Sequence, residues 1–84
     1  MKEFLKFVED KIKNNLDIEK IRVIDNTHKH KSHKSFDVDK YHLSLEIESK
    51  YLKNMNKLES QRKIMQILNK ELKTKIHALE IKIR

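Results

Sequence analysis

Residues 41–48 alternate apolar and polar side chains along their whole length. Tyr41, Leu43, Leu45 and Ile47 fall on one side, and His42, Ser44, Glu46 and Glu48 on the other. A period of two is the signature of a strand with one buried face. That strand constrains the rest of the chain, because its apolar face needs a cover and only 84 residues are present to supply one. By the same alternation, His42 points outward beside Ser44 and reads as a surface residue.

The covering elements are legible on either side. Leu5, Val8, Ile12 and Leu16 make one helical stripe over residues 1–16, with Phe4 beside it and Lys2, Lys6, Glu9 and Lys13 on the wet side. Residues 18–25 are rich in β-branched side chains and read as a strand, although Ile24 following Val23 spoils the alternation. A polar stretch, residues 26–40, follows as a long loop. Residues 50–57 form a polar connection with a short helical turn at Tyr51-Leu52. Residues 58–74 read as one helix with a core stripe of Leu58, Met65, Leu68 and Leu72, widened by Ile64 and Ile67. Lys63, Gln66, Lys70 and Lys73 lie on its outer side. Residues 76–83 close the chain as a strand, with Leu79, Ile81 and Ile83 on one face and Ala78, Glu80 and Lys82 on the other.

The order helix, strand, strand, helix, strand implies an α+β fold, a three-stranded mixed sheet with the helices on one face. The first two strands can pair antiparallel across the loop. The third follows a helix of crossover length and can lie parallel to the second, with a right-handed connection. Residues 1–84 are expected to form a single domain.

Composition removes several function classes. Hydrophobic residues make up 37% of the chain and charged residues 39%, so the core is thin. There is no Cys, which excludes disulfides, a Cys-based zinc site, a thiol nucleophile and a self-sufficient iron–sulfur site. There is no Gly, which excludes the phosphate-cradling loops of nucleotide-binding folds. No apolar run approaches the roughly 18 residues of a membrane span. Acids at Glu3, Glu9 and Asp10 do not suit a secretory signal or a transit peptide, so a cytoplasmic location is expected.

The net charge is +7 and unevenly placed. Residues 1–26 balance six basic against six acidic side chains. Residues 27–36 hold three Lys and no acid, and residues 57–75 hold six basic and two acidic side chains. A basic surface favours acidic partners, phosphate backbones or anionic membranes, or simply keeps a small domain soluble. Arg62, Lys63, Lys70 and Lys73 are the nucleic-acid candidates. Beyond Phe36, no aromatic residue is interleaved with these charges, as base stacking would require.

The five histidines are the residues with evident site chemistry. His28, His30 and His33 lie in the loop, His42 opens the second strand and His77 the third. If the second and third strands are parallel, their starting ends share one edge of the sheet with the loop. His77 is then brought toward the loop histidines. Alternation puts His77 on the face of Leu79 and Ile81, half-buried. Imidazole is the commonest protein metal ligand, but a strand-end histidine is more commonly structural, and a His/Lys tract is usually a solvated loop. No acid–base pair stands out. Asp25, Asp37 and Asp39 suit turns. Ser32 and Ser35 lie near histidines, but no third group orients them. No catalytic residue is expected, and the chain does not read as an enzyme.

The stretch Val23-Ile24-Asp25-Asn26-Thr27, the His-bearing loop after it and Tyr41-His42-Leu43-Ser44-Leu45 together resemble the central part of BolA-like proteins. Leu68-Asn69-Lys70-Glu71-Leu72 followed by Ile76-His77-Ala78-Leu79 resembles their last helix and strand. The resemblance implies a fold similar to a type II KH domain. It implies a chain that is monomeric alone and forms a heterodimer with a monothiol glutaredoxin, sharing a [2Fe-2S] cluster. In such pairs the glutaredoxin cysteine and a glutathione thiol supply two ligands, and the BolA-like partner supplies the other two. Carried over, the C-terminal ligand is His77 and the loop ligand is His30, with His33 and His28 as competitors. A transcription-factor role attached to some family members implies DNA as a second partner.

Two departures bear on that second role. The family's Phe-x-Gly pattern before the last helix is Leu52-Lys53-Asn54 here, and its Arg-His-Arg run is Ser60-Gln61-Arg62, of which only Arg62 matches. A KH-type phosphate clamp also needs a Gly-rich loop. The resemblance therefore favours the cluster role over the DNA role.

Overall fold

The computed structural model describes residues 3–27 and 40–84. The apolar stripe near the N-terminus forms α1 (Glu3–Asn15), with Leu5, Val8 and Ile12 buried. Two strands follow, β1 (Lys20–Asp25) and β2 (Tyr41–Glu48). Three helical pieces, α2 (Lys50–Lys53), α3 (Lys57–Ile67) and α4 (Asn69–Thr74), then lead to β3 (Ile76–Ile83). None of the described residues takes a positive φ, which is how these connections do without glycine.

The strand order is β1-β2-β3. β1 pairs antiparallel with β2, from Lys20 opposite Glu48 to Asp25 opposite Leu43. β2 and β3 are parallel, with Leu43, Leu45 and Ile47 beside Leu79, Ile81 and Ile83. The strand that alternates most regularly is thus the central one. Its Leu43, Leu45 and Ile47 join Val23, Ile76, Leu52, Ile64, Leu68 and the α1 stripe in one core cluster. The expected α+β architecture is the one observed. No helix among the described residues is long and apolar enough to cross a membrane.

Polar residues set the helix starts. Ser49 caps α2, its hydroxyl accepting the Leu52 N–H at 3.1 Å while donating to the Asp17 carbonyl at 2.7 Å. The Asn56 side chain caps α3 by accepting the Glu59 N–H at 2.8 Å. The turn expected at Tyr51-Leu52 is therefore a capped helix.

The long helix expected over 58–74 is two helices. Leu68 leaves α geometry with φ −96° and ψ 16°, and α4 begins at Asn69, a residue type that fits helix starts better than interiors. The buried stripe also differs. Leu58 and Met65, expected in the core, are 58% and 45% exposed; Ile64 and Leu68 are buried as expected, and Ser60 and Glu71 are buried with them. Spacings of four, four and three put those four residues on one helical face. Two of them are polar, and each has a partner. The Ser60 hydroxyl donates to the Lys57 carbonyl at 2.9 Å, and Glu71 accepts from Lys11 of α1 at 2.8 Å. Hydrogen-bonded polar groups tolerate burial, so a stripe chosen on hydrophobicity alone is rotated from the real one.

Candidate metal-ligand site

One end of the sheet gathers the residues of interest. The Asn26 N–H donates to the His42 carbonyl at 2.7 Å, and the His42 N–H donates to Thr27 Oγ1 at 3.2 Å. On the other side of β2, the Tyr41 N–H donates to the Lys75 carbonyl at 2.8 Å. The end of β1, the start of β2 and the start of β3 are thereby tied together. Asp25 terminates β1, its carboxylate accepting from the Thr27 N–H at 2.9 Å and from the Thr27 hydroxyl. This is the turn-forming role expected of it.

The β2–β3 register slips at this end. Tyr41 pairs with Ile76 but His42 pairs with Ala78, so His77 is passed over. A bulge of this kind re-aims a side chain. Ile76 is buried and Leu79 lies beside the core-facing Leu43, three residues on, so the alternation changes phase between them. His77 is exposed, and its ring centroid lies 4.9 Å from that of His42, the planes tilted by 39°. The expectation that His77 is half-buried on the face of Leu79 and Ile81 is corrected accordingly: the bulge places it against His42. The outward, surface reading of His42 is corrected too. His42 is only 8% exposed and its two ring nitrogens are buried. His42 does lie on the side of β2 away from the core, but at this end of the strand that side is enclosed. The sequence carries a sign of the bulge: Ile76 is apolar yet out of phase with Leu79, Ile81 and Ile83.

The loop candidates His28, His30 and His33, together with Ser32, Ser35, Phe36, Asp37 and Asp39, lie outside the described residues. The described residues that flank them, Thr27 and Lys40, stand at the sheet end that carries His77. The basic candidates do not form one row. Arg62 lines a groove with Met65 and Leu72. Lys63 places its Nζ 5.9 Å above the Tyr51 ring. Lys70 lines a separate cleft with Phe4 and Phe7, and Lys73 is exposed.

His77 by itself can offer a metal or cluster one ligand at this end. Among the described residues no group of three or more His, Cys, Asp or Glu could hold a metal ion, and the chain has no thiolate to offer. The exposed His77 imidazole stands at the start of β3, where the register slips, and neutral imidazole is a metal ligand.

The BolA-like protein family model matches residues 12–84, which include the whole sheet and the histidine end. The chain belongs to the BolA-like family. Solved BolA structures carry the same architecture as this BolA-like chain. The BolA domain of SufE1 from Arabidopsis thaliana has a TM-score of 0.84 at 26% identity, covering 100% of this chain and 93% of that one. BolA1 from Arabidopsis thaliana has a TM-score of 0.81 at 24% identity, covering 99% and 92%. A bol-like protein from Babesia bovis has a TM-score of 0.73 at 20% identity, covering 94% and 80%. No curated protein matches the chain.

Proposed function

We propose that this BolA-like chain is an adaptor that pairs with a monothiol glutaredoxin and co-ligates a shared [2Fe-2S] cluster, acting in iron–sulfur cluster assembly, trafficking or iron regulation. His77 is one ligand. A histidine of the adjoining loop is the other, His30 first and His33 or His28 in competition. The observation that carries the reading is the exposed imidazole of His77 at a bulge, at the sheet end flanked by Thr27 and Lys40. The absence of Cys fits a chain that contributes imidazoles while a partner contributes thiolates. Neutral imidazoles in place of thiolates lower the negative charge on such a cluster and raise its potential. They ligate only when deprotonated, so cluster binding weakens as the pH falls.

The DNA reading has less support. Arg62, Lys63 and Lys70 face three different surroundings, and a stripe of exposed Leu58 and Met65 accompanies them. A phosphate backbone calls for a continuous row of cations.

The test is co-purification with a cluster-loaded monothiol glutaredoxin and glutathione, comparing the natural chain with His77→Ala. His77 is exposed and outside the core, so the variant keeps its fold. Its complex is expected to lose the cluster or to show changed visible absorption and a changed reduction potential. A complex with absorption and potential indifferent to His77→Ala would overturn the ligand assignment.

A further inference from the structure

The chain has five aromatic residues, three Phe and two Tyr, and three of them form one row. Tyr41 stacks on Phe4 with ring centroids 4.7 Å apart. Phe4 stacks on Phe7 at 6.3 Å. The row runs from the first residue of β2 out along α1 and ends on Phe7, which is 48% exposed. Two cations sit over it, Lys75 Nζ 5.5 Å from the Phe4 centroid and Lys11 Nζ 5.7 Å from that of Phe7. Together with Lys70, Thr74, Glu3 and Glu71, the rings and Lys75 line a cleft of about 690 Å3.

Core formation explains only part of this arrangement. Phe4 and Tyr41 pack partly against the core, but Phe7 is not among the residues that do. A small domain gains nothing in stability by keeping a stacked ring half in water. The cleft also has a sign. Glu71 is engaged by Lys11 at 2.8 Å, which leaves Lys70 and Lys75 facing Glu3 alone. Aromatic shelves with cations above them suit a segment that brings carboxylates and one apolar side chain.

The cleft's position fixes which segment that is. Tyr41 and Lys75 are joined backbone to backbone at 2.8 Å, and His77 is two residues beyond Lys75. The cleft and His77 therefore share one sheet end. We infer that the Phe4–Phe7–Tyr41 cleft is the docking surface for an acidic, apolar-tipped segment of the partner that brings the cluster's thiolates. This inference rests on the glutaredoxin reading above. The cleft supplies affinity before any cluster is present, and His77 supplies ligation afterwards.

Those two roles separate by experiment. The full chain, labelled with 15N, is titrated with cluster-free monothiol glutaredoxin in the presence of glutathione. Amide shifts are expected at Phe4, Phe7, Tyr41, Thr74 and Lys75. Phe7→Asp, at an exposed site, should leave the spectrum's dispersion intact and weaken binding about tenfold or more, as loss of an interface anchor does. Lys75→Glu should weaken it in the same direction. His77→Ala should leave cluster-free binding within about twofold, since ligation contributes only to the loaded complex. If the natural chain binds and both Phe7→Asp and Lys75→Glu bind equally well, the docking assignment is overturned while the glutaredoxin reading stands. If the natural chain does not bind cluster-free glutaredoxin, the docking assignment is overturned; if it does not bind the cluster-loaded form either, the glutaredoxin reading falls with it. If concentrating the chain alone shifts the same five amides, the cleft belongs to a second copy and the assignment is overturned.

Discussion

Ser49 is fully buried, and its hydroxyl does two jobs at once. It accepts the Leu52 N–H that starts α2 and donates to the Asp17 carbonyl in the connection from α1 to β1. Replacing it with Ala leaves the Asp17 carbonyl and a helix N–H without those partners. A cap and a buried hydrogen bond are each worth about 1 kcal/mol, so Ser49→Ala should cost about 1–2 kcal/mol. Thermal melting would read this as a drop of roughly 4–15 °C for a domain of this size. No change would mean that water replaces both bonds. Sequence reasoning reached the histidines at this scale but not their facing. Alternation assumes a regular ladder, and the bulge opposite Tyr41/His42 breaks that assumption just where His42 and His77 stand. The caps escaped for a different reason: Ser49 and Asn56 are ordinary polar residues until a helix start is known.

Among the elements, α3 separates hydrophobicity from burial. Leu58 and Met65 are exposed and Ile64 is fully enclosed, although all three look alike in the sequence. Ile64→Ala should cost about 2–4 kcal/mol by lost transfer and cavity energy. Leu58→Ala should change stability by no more than about 0.5 kcal/mol, as surface substitutions do. Urea denaturation of the two variants measures the contrast. Equal losses would restore the stripe read from periodicity. The strands and helices themselves were legible because the period-two pattern of residues 41–48 and the 3.6-residue pattern of α1 are strong. The burial of Glu71 in α4 was not, because its partner Lys11 lies across 60 positions of sequence. A local pattern contains no record of such a pair.

Over the whole molecule the +7 charge acts in two directions. At about 10 mM ionic strength the screening length is about 30 Å. The described fold measures 39 Å along its longest axis, so nearly every charge feels every other and the folded state bears the repulsion. At about 150 mM the screening length falls to about 8 Å, and most of that repulsion disappears. The favourable pairs lose little in exchange. Lys6–Asp10, Arg22–Glu46 and Lys82–Glu80 all have at least one well-exposed side chain, and such pairs contribute about 0–1 kcal/mol at most. Lys11–Glu71, with Glu71 buried, is less screened. Sodium chloride raised from 10 to 150 mM should therefore increase the melting temperature by about a few degrees. Over the same range it should weaken the proposed complex with an acidic partner, because attraction between opposite net charges is screened in the same way. The two measurements together distinguish a global field from local pairs. A melting temperature that falls with salt would show that the ion pairs, and not the unbalanced charge, dominate the electrostatics of the folded chain.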